Sequence, residues 1–285
     1  MTRIAAITGN TLTDLTRQKV FYFLLIFALI LIGSSVFLAQ FTFQQEFQIL
    51  KDVSLGAMSI FTSLLAILAA ARLIPQDIED RTIYTILAKP VPRFEYVLGK
   101  LCGILLLLAL SLVVMSALFL TVLYSREQTV LHETMRQMAQ APRDQIDEAL
   151  RTVRGSALNT NLFPGIVIIY LKACLLGALT LLVSTVASTN IFTVVVMVFV
   201  YFIGQFEAIA REYWLEHYSS GWLTHGVLAV IALVFPDLQA FNLVDDVVAG
   251  AAIGAALFLK TALLALFYTT IYALLAIFAF CGREL

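Results

Sequence analysis

The residues best suited to recognition chemistry form one polar run, 77–93, that lies between two long apolar stretches. The run reads DIEDRTIYTILAKPVPR, so acidic side chains come first and basic side chains follow. Charges of both signs can form ion pairs and hydrogen bonds with a protein in water. The run therefore predicts a docking segment, and it indicates a moving part of a larger machine rather than a passive anchor.

A second group of residues has the side-chain types found in metal sites and hydrolases. Glu212 and Glu216 are four positions apart and can share a helical face, but the sequence contains no His-Glu-x-x-His pattern and no paired cysteines. Aromatic residues surround this group, which favours a belt at the membrane interface. An intramembrane enzyme is the weaker alternative. The group comprises Glu207, Glu212, Glu216, His217 and His225.

The composition predicts a membrane protein. Of the 285 residues, 61% are hydrophobic and only 13% are charged, whereas soluble domains carry roughly 25% charged residues. The net charge of −1 gives no reason to expect nucleic-acid binding. The cysteines Cys102, Cys174 and Cys281 lie in apolar runs without close spacing, so we expect small, inert hydrophobic side chains.

Six apolar stretches approach the roughly 20 residues that a membrane-spanning helix needs. They predict an all-α integral membrane protein, with spans at about 20–39, 53–74, 97–124, 162–187, 191–209 and 260–281 in one domain, 20–285. Two shorter apolar runs, at 227–235 and 247–259, predict short re-entrant helices in a region 226–259 before the last span. Two additional spans are the alternative for that region.

The distribution of basic residues predicts the orientation. Residues 1–19 and the 72–100 connection are rich in Lys and Arg, whereas the 40–52 connection has only Lys51, so both termini are expected in the cytoplasm. Residues 1–19 should form an interfacial amphipathic helix, broken near Gly9 and Asn10. Residues 126–161 should form an extracytoplasmic helical insert, two amphipathic helices separated by Pro142. The first span should remain as an anchor.

The polar run itself is predicted to be a short helix, 76–90, at the cytoplasmic surface. Pro75 should end or bend the preceding helix, and acids are favoured in the first turn of a new one. Apolar residues then recur at spacings of three and four, until Pro90 and Pro92 stop the helix. The same residues are also consistent with a surface loop that only satisfies the charge bias. The residue pattern alone does not distinguish the short helix from the surface loop.

A family resemblance favours the helix. The run EDRTIYTILAKPVPR at 79–93, followed by Tyr96 and Gly99-Lys100, resembles the signature of ABC-2-type transporter permeases. That family has six spans, an interfacial N-terminal helix and short re-entrant helices between the fifth and sixth spans. Residues 235–242, FPDLQAFN, are similar to a proline-containing segment found before the last span in some members.

The resemblance implies that the 76–90 helix is a coupling helix, seated in a groove of a separate cytoplasmic ABC ATPase subunit. ATP and Mg²⁺ would bind to that subunit, and no cofactor is expected on this chain. Gly99-Lys100 is not part of a P-loop, because Leu101 replaces the required Ser or Thr. The implied contact residues are Glu79, Asp80, Arg81, Thr82, Ile83, Leu87, Lys89 and Arg93.

The resemblance implies an exporter in a bacterial cytoplasmic (inner) membrane, with a second permease copy or a related chain as partner. Lys172 lies inside the fourth span, where a charge is a functional candidate, and Glu207 can be its partner on a translocation path. The alternative for Lys172 is that it snorkels to the outer interface. The alternative function is a membrane scaffold that docks a cytosolic protein without transport. Nothing in the sequence identifies the cargo.

Overall fold

The computed structural model describes residues 2–40, 46–80, 92–139, 142–157, 161–217, 236–242, 247–248 and 254–282, and these contain helices and no strands. The α-helices are α1 (Thr2–Thr16), α2 (Lys19–Gln40), α3 (Glu46–Glu79), α4 (Arg93–Gln137), α5 (Arg143–Ala157), α6 (Leu162–Val186), α7 (Asn190–His217) and α8 (Ala255–Gly282). A short 3-10 helix occupies Gln239–Phe241. The all-helical class predicted from the sequence is confirmed.

Five helices of the described chain are long and apolar enough to cross a membrane, and the apolar segments lie in α2, α3, α4, α6 and α8. Helices suit this environment because they satisfy their own backbone hydrogen bonds in hydrocarbon. The apolar part of α7, Asn190–Phe206, is shorter. It coincides with most of the predicted span 191–209, which stays a prediction. The predicted re-entrant region 226–259 lies mostly outside the described residues.

Helix α6 forms the centre of the bundle. It packs against α3 and α8, and α4 also contacts all three. Every residue from Lys172 to Leu181 is buried, so the helix is covered all round. A helix that is apolar on every side is suited to that position. Helix α2 packs on α3 at the periphery and exposes large apolar side chains such as Phe23 and Phe37.

Helix α1 is continuous, so the predicted break at Gly9 and Asn10 is wrong. A glycine inside a helix costs only about 1 kcal/mol relative to alanine, and local side-chain bonds support this turn. The Thr13 hydroxyl donates to the Gly9 carbonyl at 2.8 Å, and the Asn10 amide donates to Asp14 at 3.1 Å. The helix packs as one piece against α4.

The polar connections also differ from the prediction at two boundaries. Helix α3 continues through Pro75 to Glu79, so residues 76–79 are its last turn and not the start of a separate helix. Helix α4 runs without a break from Arg93 to Gln137, so the first half of the predicted insert is an extension of the third span. Helix α5 follows Pro142, with Asp144 in its first turn.

Polar contacts bind the extended part of α4 to its neighbours. The Arg126 guanidinium donates two hydrogen bonds to one carboxylate oxygen of Glu46, at 2.8 and 3.2 Å. The buried Lys51 ammonium donates to the Ser156 carbonyl at 2.7 Å, near the end of α5. Lys51, which the sequence assigned to a loop, is therefore part of α3 and holds the insert against it.

Candidate functional site

The candidate site lies where α3 ends and α4 begins, on either side of residues 81–91, which are outside the described part of the chain. The Asp77 carboxylate pairs with the Lys100 ammonium, with 2.6 Å between Oδ2 and Nζ. The Tyr96 hydroxyl donates a hydrogen bond to the same oxygen. Tyr96 and Lys100 are buried. We call these three residues the base cluster.

Helix geometry explains how the cluster forms. Tyr96 and Lys100 are four residues apart, so they share one face of the first two turns of α4. Asp77 lies near the C-terminus of α3, where the helix dipole disfavours negative charge. Lys100 compensates this charge, and its ammonium also lies 5.6 Å from the centre of the Tyr96 ring. The cluster therefore joins the two helices that flank the polar run.

The start of α4 is also bound to the end of α8. The Arg93 guanidinium donates to the Cys281 carbonyl at 2.9 Å and to the Phe280 carbonyl at 3.4 Å. The last carbonyls of a helix lack partners within it, and a cation there is favourable. The Tyr96 ring stacks on Phe280 with 5.4 Å between the ring centres. The C-terminus of α8 is therefore bound to the start of α4, next to the base cluster.

Helix α1 reaches this point through close backbone contact. The Thr8 hydroxyl donates to the Gly99 carbonyl at 3.2 Å. A Cβ atom on Gly99 would lie 2.7 Å from Cγ2 of Ile7, and one on Gly103 would lie 2.6 Å from Cγ2 of Thr11. Such distances are too short for real side chains, so the two glycines permit the approach. Gly-x-x-x-Gly spacing is a recurrent means of close helix packing in membranes.

The comparison with known families decides what kind of protein carries this arrangement. A family model described as "ABC-2 family transporter protein" matches residues 5–285, nearly the whole chain. The chain belongs to the ABC-2 transporter family. The resemblance seen in the polar run is thereby confirmed, and the chain is a transmembrane permease subunit rather than the catalytic one. No curated protein matches the sequence.

The structure describes only some of the contact residues that the ABC-2 resemblance implied. Glu79 and Asp80 are exposed at the end of α3, where a partner can reach them. Arg93 instead binds the end of α8. The remaining five lie outside the described residues, and their contacts stay predictions: Arg81, Thr82, Ile83, Leu87 and Lys89.

Several residues that organise this end of the permease were missed as site residues. In the sequence, Tyr96, Gly99 and Lys100 belong only to the family signature, and Asp77 is predicted to lie in a new helix. Two signals were available in the sequence: the four-residue spacing of Tyr96 and Lys100, and the Gly-x-x-x-Gly of Gly99 and Gly103. The sequence could not identify Asp77 as the partner of Tyr96 and Lys100, because the contact joins two different helices.

Lys172 lies inside the helix bundle of the permease. Its side chain is buried, and its ammonium donates to the Ser59 hydroxyl at 3.5 Å and lies 5.8 Å from the Tyr201 ring centre. Ser59 is about 20 Å of helix away from the start of α3. The Lys172 side chain therefore lies among the helices, and its role on a translocation path stays a prediction. Within the described side chains Lys172 has no acidic partner.

The acidic and histidine-rich group after residue 206 is not described at the level of side chains. The backbone of Glu207 belongs to α7, but its side chain is outside the description, so the predicted pairing with Lys172 stays a prediction. The same holds for the proposed metal ligands of 207–225. Among the side chains that are described, no group of three metal-binding residues occurs.

Proposed function

We propose that this permease couples ATP hydrolysis on a separate cytoplasmic subunit to export of a substrate, with residues 76–90 as the contact. One observation carries the proposal: the base cluster joins the last turn of α3 to the first turns of α4, the two helices that flank residues 81–91. A displacement of the segment would therefore act on α3 and α4 at the same point.

The contacts around the base cluster would spread that displacement to further helices. The hydrogen bond from Arg93 would transmit the displacement to the C-terminus of α8. The close packing of Gly99 against α1 would transmit it to that helix. The hydrogen bond and the close packing both restrain the helices relative to each other, so the displacement would reach the spans with little loss. Helix α6 contacts both α3 and α8 and would feel their relative motion.

The exposed charges next to the cluster suit a polar groove on the ATPase subunit. Glu79 and Asp80 would face basic groups there, and Arg81 and Lys89 would face acidic ones. Ile83 and Leu87 would pack in the groove, with Thr82 beside them. Because Arg93 already binds α8, we assign it to transmission within the permease rather than to direct contact with the partner.

The transport path requires a second permease chain, either a copy or a related subunit. Both termini would be cytoplasmic in a bacterial inner membrane, and the cargo would leave through the interface between the two chains. Lys172 and Glu207 are the candidate polar residues on this path. The buried ammonium of Lys172, with one weak hydrogen bond at 3.5 Å, supports a role beyond packing.

The test is ATP hydrolysis by the complex of the permease with its ATPase subunit in lipid vesicles. The double variant Glu79→Ala/Arg81→Ala should lower both co-purification and the stimulation of hydrolysis by the permease. The matched control is Glu133→Ala/Arg136→Ala, a pair of exposed charges at the far end of α4. If the two double variants stimulated ATP hydrolysis equally, coupling through residues 76–90 would be contradicted. A stable complex in which the permease never alters hydrolysis would favour a scaffold.

A further inference from the structure

A groove with a volume of about 300 Å³ lies between the α1–α2 junction, α3, α4 and α7. Its floor is apolar and includes the buried side chains of Leu15, Leu65 and Leu107. This volume lies at the lower end of the range for small-molecule pockets, roughly 300–1,000 Å³. The groove is separate from the base cluster and contains none of its residues.

Few polar residues line the groove. Among the residues that the structure describes, they are Gln18, Arg72 and Asn190, and no acidic residue of this described set lines the groove. Arg72 forms no ion pair with any described side chain. The amide oxygen of Asn190 is buried and has no hydrogen-bond partner in the described part of the chain. A cation and a polar amide therefore line an otherwise apolar space, which indicates a ligand that is anionic at one end.

The position of the groove narrows the class of ligand. Gln18 lies between α1 and α2, Arg72 lies about two turns before the end of α3, and Asn190 begins α7. All three are at the end of the bundle that holds the base cluster. The rim residues Val20, Ile191 and Val195 are 39, 76 and 48% exposed on the apolar surfaces of α2 and α7. In a membrane, the groove opens sideways toward lipid chains.

We propose that this groove binds an anionic phospholipid from the adjacent leaflet. The lipid phosphate would pair with the Arg72 guanidinium, which suits phosphate oxygens through two parallel donors. A polar headgroup atom would hydrogen-bond to the Asn190 amide, and an acyl chain would lie over Leu65 and Leu107. Basic pockets between spans commonly hold anionic headgroups in this way. A sugar or nucleotide would find too few polar partners on the floor. The proposal rests on membrane insertion and not on ATPase coupling.

The first experiment is native mass spectrometry of the full chain in detergent, titrated with phosphatidylglycerol or phosphatidylcholine. Phosphatidylglycerol should bind more tightly, and Arg72→Gln should weaken it about tenfold because one charge-assisted contact is lost. The matched control is Arg17→Gln, which removes an exposed arginine near the groove that does not line it. Equal loss in both variants would show general charge attraction and overturn the proposal.

A second variant tests the apolar half of the site without disturbing the core. Val195→Trp on the rim should reduce phosphatidylglycerol occupancy, whereas Val113→Trp, on the exposed face of α4, should not. Glycerol 3-phosphate, which lacks acyl chains, should bind far more weakly than the lipid. Equal binding of glycerol 3-phosphate would indicate a plain phosphate site. If Val195→Trp changed the oligomeric state and left lipid binding intact, a second copy of the chain would occupy the groove. Either result overturns the proposal.

Discussion

An ion pair joins α3 to α4 at each end of the two helices, but the neighbouring contacts differ between the two ends. At one end Asp77 pairs with Lys100 at 2.6 Å, and at the other Glu46 pairs with Arg126 at 2.8 Å. The first pair has Tyr96 as a third member and adjoins the contacts to α1 and α8. The second adjoins the contact between α3 and α5. Similar ion pairs therefore join α3 and α4 at both ends, but only the Asp77–Lys100 end adjoins the segment that is proposed to contact an ATPase.

The role of each ion pair depends on which segments it connects. The Asp77–Lys100 pair flanks the segment proposed to contact an ATPase, so its loss should affect both stability and coupling. The Glu46–Arg126 pair holds an extension beyond the apolar spans, so its loss should affect stability alone. Four variants separate these roles.

The largest effect is expected for Lys100→Met. The change removes the Lys100 ammonium from the mostly buried Asp77 carboxylate, at a cost of roughly 3–5 kcal/mol. Thermal unfolding in detergent should show a large loss, and stimulation of ATP hydrolysis should fall. The double variant Asp77→Asn/Lys100→Met removes both charges and should recover much of the stability. If the double variant were as unstable as the single one, the ion pair would not be the cause.

A smaller loss is expected for Gly99→Ala, because the new methyl group would lie within 2.7 Å of Ile7. Overpacking of this kind costs about 1–3 kcal/mol and should push α1 away from α4. The readout is thermal unfolding combined with proteolysis of the N-terminal helix. Gly56→Ala in α3 is the control, since a Cβ atom there meets nothing within 4 Å. Equal behaviour of the two variants would count against close packing at Gly99.

Arg126→Met should cost less, about 1 kcal/mol, because Glu46 is partly exposed and water screens the pair. We expect a modest loss of thermal stability and unchanged stimulation of ATP hydrolysis. Like Lys100→Met, this variant breaks an ion pair between α3 and α4, but at the opposite end of the two helices. A fall in stimulation as large as that of Lys100→Met would remove the functional distinction between the two ends.

The smallest effect is expected for Arg93→Gln, which removes a cation from the end of α8 at a cost of about 0.3–1 kcal/mol. Amide hydrogen exchange should become faster in the last turn of α8 and stay unchanged in its middle. Arg136→Gln, at the exposed end of α4, is the control. No change at the end of α8 would mean that the contact with Arg93 does not restrain it.

Sequence reasoning succeeded where the physical signal is local. Apolar runs of about 20 residues predict membrane-spanning helices, because a helix satisfies all of its backbone hydrogen bonds within one segment. Helix ends were less predictable. Pro75 looked like a terminus but lies inside α3, where its buried position favours packing over an intact hydrogen-bond ladder. Gly9 looked like a break but is supported by the Thr13 hydroxyl.

The sequence alone determined the class of the protein, its family and the polar run on which its function is proposed to depend, because composition and a linear motif need no knowledge of contacts. Only the tertiary structure decided which contacts the residues around that run make. Arg93 reaches a carbonyl 188 residues away, and Lys100 finds Asp77 on another helix. Such partners are chosen by how helices pack, and packing joins residues whose separation along the chain carries no signal.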